Sequence, residues 1–290
     1  MGRLPEYLKR PIIDTEKTKK VRYILRENHL NTVCEGARCP NKNECYQNNT
    51  ATFLIMGKVC TRNCKYCNIS TSKPEPLDID EPKHIAQAVK DLGLKYAVIT
   101  SVTRDDISDG GAEHFSNCIK EIRNLTPETK IEILTPDFRS SKDIHKFNKE
   151  ALDTIIDSKP DVFNHNIETV REIFKQARPL GDYDLSLSVL KYIKENSSIP
   201  TKSGLMIGLG ETFEQIFKTF EDLREVGCDI LTVGQYIQPS RKHLEVSKYY
   251  TLDEYDLIRE KAKEAGFKKY QIGPLVRSSY NAGLIAENIN

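Results

Sequence analysis

Six of the eight cysteines crowd into residues 34–67 as two triplets. Cys34, Cys39 and Cys45 form the first, Cys60, Cys64 and Cys67 the second, and Cys118 and Cys228 stand alone. In a chain of 290 residues with no secretory signature, such crowding reads as metal ligation rather than as a disulfide framework. Closely spaced thiolates hold iron–sulfur clusters, and a cube of four irons wants four ligands. Three cysteines therefore leave one iron open, which has no use in a structural site but suits a cluster that must bind something else. Zinc is the alternative: it asks for four protein ligands, and histidine often completes a cysteine set. Neither triplet has a fourth cysteine or a histidine at finger spacing, the nearest histidine beyond Cys67 being His84. Cys118 and Cys228, in NCIKEI and GCDIL, read as buried small hydrophobes.

The elements that must position these groups follow Cys67. Apolar, β-rich runs at 52–57, 96–102, 130–135, 162–167, 204–208 and 230–236 recur at roughly the span of a βα unit. Amphipathic stretches at 82–92, 112–124, 140–155, 170–177, 185–195, 212–226 and 252–265 predict the helices between them. The strands are apolar runs rather than alternations, as in a parallel sheet covered on both faces. A barrel or partial barrel follows, with a doubly wound sheet as the alternative.

In such folds chemistry collects beyond the carboxyl ends of strands. There stand Ser101 to Asp106, Asp109-Gly110-Gly111, Asn164 to Glu168, Gly208 to Glu211 and Gln235 to Ser240. Each is weak alone. Gly208-x-Gly210 is followed by Phe213 where a dinucleotide fingerprint needs glycine. His165 reads as a hydrogen-bonded structural histidine, and Asp105, Asp106 and Asp109 suit helix capping as well as binding.

Composition narrows the class. Hydrophobic residues at 38% and charged residues at 29% describe a globular chain, and no apolar run approaches the roughly 18 residues of a spanning helix. A formal charge of +1 gives no case for nucleic acid. Arg3, Pro5, Glu6, Lys9 and Arg10 interrupt the amino terminus, and Glu6 stands where a myristoylation motif wants serine or threonine. The expectation is a cytoplasmic protein without membrane association. The basic stretch Lys9, Arg10, Lys17, Lys19, Lys20 and Arg22 reads as a solvated helix face or as a docking surface for an acidic partner.

CTRNCKYC, Cys60 to Cys67 with Tyr66 as the aromatic, resembles the CxxxCxφC signature of radical S-adenosylmethionine enzymes. The upstream CEGARCPNKNEC and the terminal Arg277-Ser278-Ser279-Tyr280 are similar to the lipoyl synthase family, as are SVTRDDISDGGA and KSGLMIGLGET. The resemblance covers nearly the whole chain. It implies an α/β fold, a partial (β/α)6 TIM-type barrel of the radical SAM kind over residues 51–245. Residues 1–50 would be an extension carrying the auxiliary cysteines, and 246–290 a terminal extension carrying RSSY.

The resemblance also implies an activity: insertion of two sulfur atoms at carbons 6 and 8 of a protein-bound octanoyl group. Cys60, Cys64 and Cys67 would hold a 4Fe–4S cluster that reductively cleaves S-adenosylmethionine to a 5′-deoxyadenosyl radical. Cys34, Cys39 and Cys45 would hold an auxiliary 4Fe–4S cluster, the sulfur source, with Ser279 as fourth ligand and Ser278 not excluded. Unactivated C–H bonds offer nothing to a general base, so a cofactor carries the hard step. Tyr66, Gly110, Gly111, Glu168 and Arg178 would contact the cofactor: the glycines its methionine moiety, Glu168 its ribose, Arg178 its carboxylate. Ala112 separates the glycines from Glu113, where the family places a carboxylate directly after them, and Tyr7 stands where the family carries tryptophan. Implied partners are octanoylated lipoyl domains of 2-oxoacid dehydrogenase acyltransferase subunits or the glycine-cleavage H protein. A small electron donor such as ferredoxin or flavodoxin is implied as well. Another dual-cluster radical enzyme, or a zinc module fused to a barrel, are the competing readings.

Overall fold

The computed structural model describes residues 4–11 and 15–286. The chain divides into two compact units. One comprises Arg10–Arg62 and Ile69–Phe163, the other Met1–Lys9, Asn63–Asn68 and Asn164–Asn290, as far as these are described.

The first unit holds β1 (Asn31–Thr32), β2 (Thr52–Ile55), β3 (Val59–Cys60), β4 (Ser70–Thr71), β5 (Tyr96–Ser101), β6 (Lys130–Leu134) and β7, which starts at Val162 and ends at Asn164. Its sheet runs β1-β2-β5-β6-β7, with β2, β5 and β6 parallel and β1 antiparallel to β2. β3 and β4 pair only with each other, Cys60 opposite Thr71. All four residues of β2 and the central four of β5 are buried, because the helices Glu81–Leu92 and Ala112–Leu125 cover the sheet with Ile85, Val89, Phe115 and Ile119. Each such side chain contributes about 1.5–3 kcal/mol. Gly93, in the left-handed conformation, stops the first of these helices.

The second unit holds β8 (Thr201–Ile207), β9 (Ile230–Gln235) and β10 (Lys269–Gly273), parallel to one another in that order. The chain from His165 runs beside β8: its amide donates to Lys202 O at 3.0 Å, Glu168 N to Gly204 O at 2.9 Å, and Met206 N to Glu168 O at 2.8 Å. The helices Phe213–Glu225 and Leu252–Glu264 begin in reciprocal capping boxes, Thr212 with Gln215 and Thr251 with Glu254.

The expected strands and helices are present, with one marked change. The helix expected over 140–155 occupies only Lys149–Ser158. Ser140 Oγ and Asp143 Oδ1 accept the amides of Lys142 and His145, offering that backbone a turn in place of a helix. Asn148 then caps the helix by accepting from Ala151 N. Among the described residues no helix is long and apolar enough to cross a membrane. Cys118 and Cys228 are fully buried, as expected.

Candidate active site

The first triplet lies within one unit. Thr32 caps the short helix Val33–Gly36 that carries Cys34, Cys45 lies on Lys42–Gln47, and Cys39 is on the turn between. The turn is closed by Cys39 N to Cys34 O at 3.1 Å and Cys45 N to Asn41 O at 3.0 Å. Beneath it the buried hydroxyls of Tyr46 and Thr32 meet at 3.0 Å. Burial pushes the Cys34 thiol up to about 11, and charge on Cys39 adds to the shift. Cys45 is pushed up to about 12 by burial and then by charge on Cys34 and Cys39. Charge on Cys39 thus reaches both of the other thiols, and charge on Cys34 reaches Cys45.

Cationic iron among them reverses that penalty, so an all-thiol donor set fits an iron–sulfur cluster.

Cys60 ends the two-residue strand β3. Its sulfur accepts from the amides of Arg62 and Thr103, each at 3.3 Å, the environment of a cluster thiolate. Cys64 and Cys67 belong to the other unit, in a turn closed by Cys67 N to Cys64 O at 3.1 Å. That loop is laced to its surroundings: Lys65 N donates to Ala177 O at 2.8 Å and Leu244 N to Lys65 O at 3.0 Å. His243 Nε2 lies 2.9 Å from Cys67 O and its Nδ1 2.9 Å from Ser240 Oγ. A carbonyl only accepts, so Nε2 carries the proton and Nδ1 accepts from the serine.

Tyr66, Glu168 and Arg178 come together in the second unit. Burial holds the Tyr66 phenol well above its ordinary range, with charge on Glu168 adding to it. Glu168, at a positive φ of 71°, accepts from Asn166 Nδ2 at 3.2 Å. Burial raises its carboxyl against the pull of Arg178. Arg178 is buried, with its guanidinium 5.1 Å from the centre of the Phe174 ring.

A cavity of about 100 Å³ opens here, lined by Asn166, Glu168, Gly204, Met206, Thr232 and Ser278 among others. It is smaller than the roughly 300–1,000 Å³ of ordinary ligand pockets. Ser278 Oγ donates to Asn166 Oδ1 at 2.9 Å. A Cβ on Gly204 would stand 2.6 Å from both of these atoms, so only glycine allows them to meet over the strand. The Ser279 hydroxyl makes no hydrogen bond to the described residues, which separates the two serines.

Gly110 and Gly111 have φ of 62° and 91°. A Cβ on Gly111 would collide with the Met56 sulfur and one on Gly110 would lie 3.2 Å from Phe138 Cδ1, so packing and the positive φ together favour glycine at both positions. Of the three aspartates, Asp109 caps the following helix by accepting from Gly111 N and Glu113 N. Asp105 and Asp106 instead pair with Arg62 and Arg104. In the basic stretch Arg10 meets Glu44 and Lys19 meets Glu16, while Lys17 and Lys20 are exposed. Reading the sequence missed Arg62 and His243. The one lies inside the cysteine motif, and the other three residues beyond Ser240, where the inspected strand end stopped.

Residues 54–223 match the family model of the Radical SAM superfamily. The fold class is accordingly α/β, a partial (β/α)6 barrel of the radical SAM kind. A crystal structure of Streptococcus suis SuiB bound to S-adenosylmethionine is similar in fold, with a TM-score of 0.56 at 15% identity, covering 87% of this chain and 64% of that one. In sequence the chain is 49% identical over 284 residues to the lipoyl synthase of Glaesserella parasuis serovar 5, covering 97% of this chain and 87% of the relative. It is 50% identical over 274 residues to that of Aeromonas hydrophila, covering 94% and 84%. The chain belongs to the lipoyl synthase family. It is an enzyme whose family uses S-adenosylmethionine and iron–sulfur chemistry, and the zinc-module reading finds no support in that membership.

Proposed function

We propose that this chain inserts sulfur at carbons 6 and 8 of an octanoyl group carried on a lipoyl domain, using two 4Fe–4S clusters. Carrying this reading is the all-thiol environment shared by Cys34, Cys39 and Cys45, in a chain 49% identical to a lipoyl synthase over 97% of its length. Cys60, Cys64 and Cys67 would hold the radical cluster, and Cys34, Cys39, Cys45 and Ser279 the auxiliary one. When bound, these groups supply the electron that releases a 5′-deoxyadenosyl radical from S-adenosylmethionine, and the sulfur that the product gains.

The protein's own residues bind and orient. Tyr66, Glu168 and Arg178 form a buried polar group of both charge signs, suited to a ribose and an amino-acid end. Gly110 and Gly111 present backbone to the methionine moiety. Asn166 and Ser278, joined by their hydrogen bond, fix one wall of the cavity. The acceptors would be octanoylated domains of 2-oxoacid dehydrogenase acyltransferase subunits or the glycine-cleavage H protein. A ferredoxin or flavodoxin would serve as donor, in the cytoplasm. Residues 1–50, 51–245 and 246–290 would be the auxiliary-cysteine extension, the barrel and the RSSY extension.

The test is anaerobic incubation of reconstituted protein with an octanoyl-lysine peptide, S-adenosylmethionine and a reductant. Mass analysis should show two sulfur atoms gained with no net change in hydrogen for the dithiol, and two hydrogens fewer once the product is oxidised to the cyclic disulfide. Cleavage of S-adenosylmethionine with an unmodified peptide would overturn the assigned substrate.

A further inference from the structure

Arg62 lies between Cys60 and Cys64, and its side chain is only 2% exposed. Two carboxylates grip its guanidinium. Its two terminal nitrogens donate to Asp137 Oδ2 and Oδ1 at 2.6 and 2.7 Å. Nε and one terminal nitrogen donate to Asp105 Oδ2 and Oδ1 at 2.8 and 2.7 Å. Asp137, 0% exposed, follows β6, and Asp105, 37% exposed, follows β5. One side chain of the cysteine motif therefore ties down the exits of two strands. Arg139 also faces Asp137, at 3.9 Å.

The backbone around Arg62 is fastened as well. Thr61 N donates to Thr103 O at 3.0 Å, and Asp105 N donates to Thr61 Oγ1 at 3.1 Å. Thr71 Oγ1 donates to Arg62 O at 2.9 Å. The amides that reach the Cys60 sulfur belong to Arg62 itself and to Thr103, two residues before Asp105. Replacing a buried ion pair by apolar groups is often neutral for stability, so stability alone does not explain two carboxylates on one arginine. Bidentate pairs on both sides do specify where the peptide lies.

Amide hydrogen bonds to a thiolate stabilise negative charge on it. A reduced cluster carries one more electron than an oxidised one, so donors on its sulfur favour reduction.

We propose that Arg62 is a positioning residue for the radical cluster: clamped between Asp137 and Asp105, it holds its own amide and that of Thr103 on the Cys60 sulfur and so eases reduction of the cluster. This rests on Cys60 being a cluster ligand. Arg62→Lys keeps the charge but loses both forks. Asp105→Asn weakens the half-exposed side and leaves the Asp137 pair intact.

The experiment uses the full chain carrying Cys39→Ala, so that the radical cluster is observed alone. Thermal melting, iron content and a potentiometric titration followed by electron paramagnetic resonance are recorded for each variant. Both variants should keep their iron while the midpoint potential becomes more negative. The reduced fraction at a fixed reductant potential should fall several-fold, more for Arg62→Lys than for Asp105→Asn. Arg123→Lys, which loosens the Arg123–Asp161 pair in the same unit, should shift melting without moving the potential. An unchanged potential in Arg62→Lys and Asp105→Asn would overturn the proposal. If Arg62→Lys does not fold, Asp105→Asn decides alone. Full iron content and S-adenosylmethionine cleavage in Cys60→Ala would instead overturn the ligand assignment beneath it.

Discussion

His243 donates from Nε2 to the backbone carbonyl of Cys67 at 2.9 Å, across 176 residues of chain. Ser240 orients the ring from the other side at 2.9 Å, and the following amide, that of Leu244, binds Lys65 O. Through these bonds the segment after β9 holds the loop carrying Cys64 and Cys67.

His243→Ala should therefore let that loop drift without removing a thiolate. Misplacement by about 1 Å costs roughly a hundredfold in rate, so 5′-deoxyadenosine formation should fall about 10- to 100-fold at near-normal iron content. His243→Asn, which still carries a donor, should recover part of the rate. Equal single-turnover rates for the wild type and His243→Ala would remove the positioning role.

Cys39→Ala separates the two proposed clusters. The variant should hold about half the wild-type iron, cleave S-adenosylmethionine and form no lipoyl product. Mass analysis of the peptide beside an iron assay decides, and normal product formation would rule out an auxiliary sulfur donor at this triplet.

The two serines make opposite predictions because Ser278 is committed to Asn166 while Ser279 is not. Ser278→Ala should cost about 0.5–1.5 kcal/mol of stability and leave the auxiliary cluster assembled. Ser279→Cys should also keep that cluster but slow sulfur insertion, since a soft thiolate grips iron more firmly than a serine oxygen. Undiminished insertion by Ser279→Cys at full cluster content would show that lability at this ligand is not needed.

Gly111→Ala tests packing apart from chemistry. The new methyl would collide with the Met56 sulfur at a residue whose φ is 91°. We expect a loss of about 1–3 kcal/mol in denaturant unfolding of the apoprotein. No loss would mean that Met56 moves aside freely.

Much of this was legible in the chain because it is local. Cys60, Cys64 and Cys67 occupy one loop's length, so their joint chemistry follows from spacing. Apolar runs and capping residues such as Thr212 and Thr251 mark elements within a few residues of themselves. Weak local signals failed where partners decided: β3 and β4 are two residues each and exist through their pairing. KYQIG, partly polar, becomes β10 because β9 offers it a parallel edge.

The sequence by itself determined the family, the fold class and the two sets of thiols, since residue type and short spacing are written directly in it. Only the tertiary structure decided that Asp137 and Asp105 clamp Arg62, that His243 holds Cys67, and that Ser278 rather than Ser279 is bound to Asn166. Each of these bonds joins residues 43 to 176 positions apart. A hydrogen bond requires its atoms within about 3 Å, and over such separations the packing of the intervening strands and helices sets that distance.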